Sequence, residues 1–160
     1  MTRMILLTAV GLVLSACDKT PEVPKARWTD TAAPSGAPVK LRWYTREQVA
    51  AGAHLYQENC ATCHKENAEG TADWKTRNAN GQLPPPPLNG TAHTWHHSLK
   101  ILRTVVRSGG APVGGTMPAF GQKITAEQID AILAWVQSHW SDEIYGLWQE
   151  RERQSGLRDM

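Results

Sequence analysis

The chain has 160 residues, 41% of them hydrophobic, which suffices for one domain with a modest core and leaves little room for a second. With 17 Lys and Arg against 15 Asp and Glu, the formal net charge of +2 supplies no strong field, so nothing points to nucleic acid and charge is silent about other partners. Seven Trp and three Tyr stand against a single Phe. Such rings join an apolar body to one hydrogen-bond donor and suit a flat apolar ligand with polar edges.

Residues 1–16 begin Met-Thr-Arg and continue from Met4 to Ala16 without a charge. That run is shorter than the roughly 20 residues a membrane span needs and fits a secretory signal peptide. Leu14-Ser15-Ala16-Cys17 resembles the lipobox of bacterial lipoproteins, which implies cleavage before Cys17 and lipidation of its sulfur. At about 0.8 kcal/mol per buried CH₂, several acyl chains make a stable anchor. Asp18 resembles an inner-membrane retention signal, so the expected location is the periplasmic face of a bacterial inner membrane. Residues 17–43 carry Pro21, Pro24, Pro34 and Pro38 with no apolar period and read as a semi-extended tether. At about 3.3 Å per residue it reaches on the order of 85 Å.

Thr45-Arg46-Glu47-Gln48 is a capping box and predicts a helix over about 46–59. Cys60-Ala61-Thr62-Cys63-His64 follows at once. This is the pattern of covalent c-type haem attachment: one turn of chain brings two sulfurs to the two vinyl groups on one edge of a porphyrin and puts His64 under the iron. A thioredoxin-like pair needs a βαβ context that is missing here. A structural zinc site needs a second ligand pair at matching spacing. Residues 65–94 hold Gly70, Gly81, Gly90 and the run Pro84–Pro87 without a helical period, and so long an irregular segment calls for a ligand to order it.

Ser98 can cap a middle helix with Ile101, Leu102, Val105 and Val106 inward, stopped by Gly109-Gly110. Met1 and Met4 fall in the signal and Met160 is terminal, so Met117, in Gly114-Gly115-Thr116-Met117-Pro118, is the methionine available as a second axial ligand. Ligation by His and Met closes both axial positions and favours electron transfer over oxygen chemistry. Thr125-Ala126-Glu127-Gln128 repeats the capping box and opens a helix over about 126–139, with Ile129, Ile132, Leu133 and Val136 on one face. The tail, 141–160, carries Ile144, Leu147 and Trp148 at helical spacing and reads either as an added helix or as a docking surface. No segment alternates as a strand, so the fold class is all-α, with three main helices.

From about residue 44 to 140 the chain resembles the class I cytochromes c in the order of its parts: first helix, attachment motif, proline-leucine-glycine loop, middle helix, Met-Pro loop, closing helix. Gly52, Tyr56 and Cys60 match that family's first-helix pattern, and Ile132 and Trp135 its last-helix positions. Pro86 aligns with the residue whose carbonyl accepts the proximal histidine's proton, while Pro85 stands where the family usually has glycine. The resemblance implies one covalent haem c on Cys60 and Cys63, iron held by His64 and Met117, and pocket support from Pro86, Tyr56 and Trp135; Trp95 is read beside them as packing at the haem edge.

His93, His96 and His97 form the other notable cluster, either a second metal site for copper or zinc or a cap and haem-propionate contact beside Trp95. His54 and His139 are read as packed or solvated, though either could replace Met117. Arg103 and Arg107, one turn apart, either neutralise propionates or face solvent. The expected function is one-electron transfer between periplasm-facing respiratory partners without catalysis. The alternative is a metal-handling or redox-sensing protein built on the three histidines.

Overall fold

The computed structural model describes residues 41–158, which form five helices and, among the described residues, no strand. The expected signal peptide, the expected lipidation site at Cys17 and the expected tether as far as residue 40 lie outside the described residues. Helix α1 spans Arg46–Asn59 and helix α4 spans Ala126–Ser138. Both begin with the reciprocal bonds that their capping boxes predict. Gln48 N donates to Thr45 Oγ1 (3.2 Å) and Thr45 N to Gln48 Oε1 (2.9 Å); the corresponding bonds at Thr125 and Gln128 are 3.3 and 2.8 Å. Each box satisfies two amides that a helix start otherwise leaves open.

α1 and α4 cross closely because Gly52 has no side chain: a Cβ there would overlap the carbonyl of Ala131. One turn on, the Tyr56 and Trp135 rings lie 4.0 Å apart between centroids. α4 is buried well beyond its expected face. Ile129, Ile132, Leu133 and Val136 are buried as predicted, and Ala131, Ala134 and Gln137 are buried with them. The cause is that α1, the middle helix and the segment around Trp43 take different sides of it, Trp43 Nε1 donating to Gln137 Oε1 at 2.6 Å.

Helix α3, Leu99–Ser108, is capped by the Ser98 hydroxyl and stopped at Gly109, whose φ of +82° suits glycine. Its buried residues are Leu99, Leu102 and Val106, whereas Ile101, expected inward, is 47% exposed. Leu99 heads the helix and shares the face of Leu102 and Val106, which turns Ile101 away. Helix α5, Asp142–Arg158, extends the folded unit past residue 140. Tyr145 and Trp148 on it are buried with Trp140, which precedes it. Residues 41–43 lie along α5: Trp43 N donates to Tyr145 Oη (3.1 Å), Gln149 Nε2 to Leu41 O (2.9 Å), and Arg42 pairs with Asp142 (2.6 Å) over the Tyr145 ring. Among the described residues no helix is long and apolar enough to cross a membrane.

Candidate functional site

The attachment motif folds as a single helical turn, α2, Ala61–His64, set directly on the end of α1. Cys60 N donates to Tyr56 O (2.8 Å) and His64 N to Cys60 O (2.9 Å), so the two sulfur-bearing residues and the histidine share one closed turn. Cys60 is half-buried and Cys63 exposed, and both are free thiols. Burial, with Cys63 adjacent, pushes the Cys60 thiol up to about 11. After His64 the chain reverses through Lys65 and Ala68, at φ of +67° and +62°. The Tyr56 hydroxyl holds this reversal by donating to Lys65 O at 2.9 Å.

His64 is 7% exposed, and its Nδ1 lies 2.9 Å from Pro86 O. A carbonyl can only accept, so Nδ1 carries the proton and the Nε2 lone pair is the one left for a metal. Burial lowers the pKa of the ring, and the bond to Pro86 offsets part of that, so the neutral imidazole a metal requires is favoured. The Pro86 carbonyl is held by segments packed on each other. Gly70 N donates to His64 O (2.8 Å), Thr71 N to Pro85 O (2.9 Å) and Leu88 N to Ala68 O (2.8 Å). Gly70, at φ +60°, lies flat against the Pro86–Pro87 peptide, where any Cβ would overlap it. Gly70 and the fully buried Ala68 are site residues that sequence reasoning missed. Nothing local distinguishes them, because their importance comes from a strand of chain some sixteen residues later.

Met117 sits in an irregular loop after the 3₁₀ turn Ala111–Val113, half-buried and packed on the same core as Cys60, Leu88, Trp95 and Trp135. Its loop is tied at several points. Gly110 N donates to Met117 O (2.9 Å), Phe120 N to Val106 O and Gly121 N to Arg107 O (both 3.0 Å), and Leu83 N to Gly114 O (3.0 Å). The last bond, with the bridge between Leu83 and Gly115, joins the methionine loop to the proline loop.

The three histidines do not converge. His93 stacks on Trp74 (4.7 Å between centroids) and meets His97 edge-on (5.3 Å), whereas His96 lies against Trp95 at 3.7 Å. Among the described residues no group of three or more His, Cys, Asp or Glu is placed to hold a metal ion, so of the two readings of this cluster the second metal site gains no support. The indole of Trp95 takes up His96 and so turns it from the other two, while the indole of Trp74 stacks on His93, which keeps only His97 as an imidazole neighbour in ring contact. His139 Nδ1 is 2.9 Å from Trp135 O on its own helix, and His54 is exposed. Arg103 is neither simply solvated nor free for a propionate: it forms a two-pronged pair with Asp130 (2.6 and 2.8 Å) that ties α3 to α4.

Two free thiols one turn apart, a buried imidazole with a fixed proton on Nδ1, and a half-buried thioether on the same core fit a covalently attached haem. Comparison with known families gives the same class. Residues 47–136 match the family model described as cytochrome c oxidase, cbb3-type, subunit III. That covers more than half of the chain, which therefore belongs to this family and carries a cytochrome c domain, a fold associated with electron transfer. The chain is 26% identical over 135 residues to the cbb3-type cytochrome c oxidase subunit FixP of Azorhizobium caulinodans, covering 82% of this chain and 38% of that one. It is 26% identical over 133 residues to the cytochrome c subunit of the quinone alcohol dehydrogenase of Gluconacetobacter polyoxogenes, covering 79% and 26%. FixP of Sinorhizobium medicae is 31% identical over 94 residues, covering 56% and 29%. The chain thus spans less than two fifths of the length of these relatives. No solved structure matches it.

Proposed function

We propose that this protein is a membrane-tethered monohaem cytochrome c that carries single electrons between periplasm-facing partners of a respiratory chain. Cys60 and Cys63 would hold the haem as thioethers, His64 and Met117 would bind its iron, and Cys17 would carry the lipid. The bond from buried His64 Nδ1 to Pro86 O, one residue past two free thiols, carries this reading: it fixes the one tautomer that presents Nε2 to a metal.

The bound haem supplies a one-electron couple at iron. This chain's residues do the rest. The turn Cys60–His64 brings the two thiols and the imidazole together on one short segment, and Tyr56 and Gly70 keep that turn against the proline loop. Trp135 and Leu88 pack on the same core as Met117, and the backbone bonds that tie its loop hold a soft sulfur in place there. An iron held by two protein residues would leave no open position for a substrate, which suits a carrier. The curated relatives are named as subunits of an oxidase and of a dehydrogenase, and a larger redox complex of this kind is the proposed partner.

The deciding measurement is the optical and electron-paramagnetic resonance spectrum of purified holoprotein beside Met117→Ala. The proposal expects a low-spin wild type with the far-red methionine-to-ferric-haem band, and loss of that band in the variant. A high-spin wild type that binds added ligands would overturn it.

A further inference from the structure

Four contacts converge on the segment that runs from the proline loop to the start of α3, and all come from Trp140 and α5. Trp140 Nε1 donates to Leu88 O at 2.7 Å, two residues after Pro86. Gly90, at φ +93°, lies against the Trp140 ring so closely that a Cβ would stand 3.1 Å from its Cδ1. Trp148 Nε1 donates to His97 O at 3.0 Å, and the Glu152 carboxylate accepts from Leu99 N at 2.8 Å. Nothing in the cytochrome site itself requires these bonds, since α5 begins beyond the last residue of the family match.

We propose that Trp140 and α5 form a clamp that tunes the haem iron through His64, with Trp140 as its main positioning residue. The inference rests on His64 being an iron ligand. The chain from Pro86 to Ser98 contains no regular structure except the turn Thr94–His96, so beyond the bonds of that turn and the Thr94 hydroxyl on Pro87 O (3.1 Å) its carbonyls depend on donors from outside the segment. Trp140 fixes Leu88 O on one side while Ala68 O fixes Leu88 N on the other, so Leu88 is pinned at both polar groups and Pro86, two peptides away, inherits that position. A firmly placed Pro86 carbonyl strengthens the bond from His64 Nδ1, which makes the imidazole a better electron donor at Nε2 and favours the oxidised iron. Loosening the clamp weakens that donation and raises the reduction potential.

The test uses the full-chain holoprotein with Trp140→Phe, which keeps an aromatic ring and removes the donor. Two quantities are read: the midpoint potential by redox titration, and the rate of solvent exchange of the His64 Nδ1 proton by NMR. Trp140→Phe is expected to keep the wild-type ligand spectrum, move the midpoint to higher potential and speed the exchange at least tenfold. Leu147→Ala, on the exposed side of α5, moves neither. A folded Trp140→Phe protein with unchanged potential and exchange, even one that melts earlier, overturns the inference and leaves the cytochrome reading intact. Where that variant does not fold, Glu152→Ala releases the far end of the same segment and is read identically, an unchanged potential and exchange again being negative. A wild-type protein without imidazole ligation by His64 overturns both readings, and its spectrum identifies that case.

Discussion

Gly52 and Gly70 act through what they allow to approach. Replacing glycine by alanine inside an exposed helix stabilises it by about 1 kcal/mol, so propensity alone predicts that Gly52→Ala helps α1. The new methyl would instead meet the Ala131 carbonyl, backbone that cannot rotate aside, and overpacking of this kind costs about 1–3 kcal/mol. The clash wins: Gly52→Ala is expected to lower the thermal midpoint, and a raised midpoint would show that the two helices do not cross there. Gly70→Ala combines a left-handed backbone with a collision at the Pro86–Pro87 peptide. A penalty of about 2 kcal/mol or more is expected in denaturant unfolding, together with an altered haem spectrum, because the displaced peptide carries the acceptor for His64. Tyr56→Phe removes only the bond to Lys65 O and should cost about 1 kcal/mol, with the ligand spectrum retained.

The turn that leads into α3 is a different case, because its histidines can gain protons. Burial holds the pKa of His93 below its ordinary value, and the nearby His97, His96 and Lys75 add to the effect; burial also lowers that of His97, helped by His96 and Arg151. His93 Nδ1 is buried with no hydrogen-bond partner, and its ring lies on Trp74, so a proton there meets neither water nor an acceptor. The unfolded chain takes up protons below about pH 6.5, while the folded turn resists until lower pH. The stability this supplies is fully present above about pH 6.5 and is lost as pH falls through the depressed folded values. Urea unfolding of wild type and His93→Gln at two pH values, near neutrality and near pH 5, checks this: the variant should lose less stability on acidification. Parallel losses would place the effect elsewhere. The sequence announced this cluster by its composition but left open a metal site or a cap beside Trp95, since adjacency along the chain says nothing of which way three rings turn. The helices were more legible, because capping boxes and the attachment motif are local devices whose partners lie three or four residues away. Gly70, Ala68 and Trp140 act on partners tens of residues away or across the fold, and no short window contains both ends of such a contact.

Taken together, the molecule is wider than its family match, and α5 decides whether that surplus belongs to the folded unit or hangs from it. The match ends at residue 136, and the polar run Glu150–Arg153 gives the tail the look of a solvated appendage. Tyr145 and Trp148 contradict that look, being 0% and 3% exposed. Removing a buried aromatic side chain costs about 3–5 kcal/mol, so losing both is comparable with the 5–15 kcal/mol that holds a typical domain folded. Their loss would also free Trp43, whose amide bonds the Tyr145 hydroxyl, and strip the cover from Trp140. The surface ion pair Arg153–Glu150 contributes little by comparison, its side chains being 63% and 52% exposed. A chain ending at Trp140 is therefore expected to be largely unfolded before haem attachment and to accumulate poorly as holoprotein, whereas Arg153→Ala in the full chain should leave the thermal midpoint within a degree or two. A truncated protein that melts with the full-length one would mean that the aromatic face of α5 merely rests on the domain, and the α1–α4 crossing with its haem would then suffice for folding. The arrangement of contacts argues against that outcome, because α5 carries Trp148, the donor to His97 O, and that tryptophan packs on Trp140, the donor to Leu88 O, so losing the helix removes one of these bonds and uncovers the other.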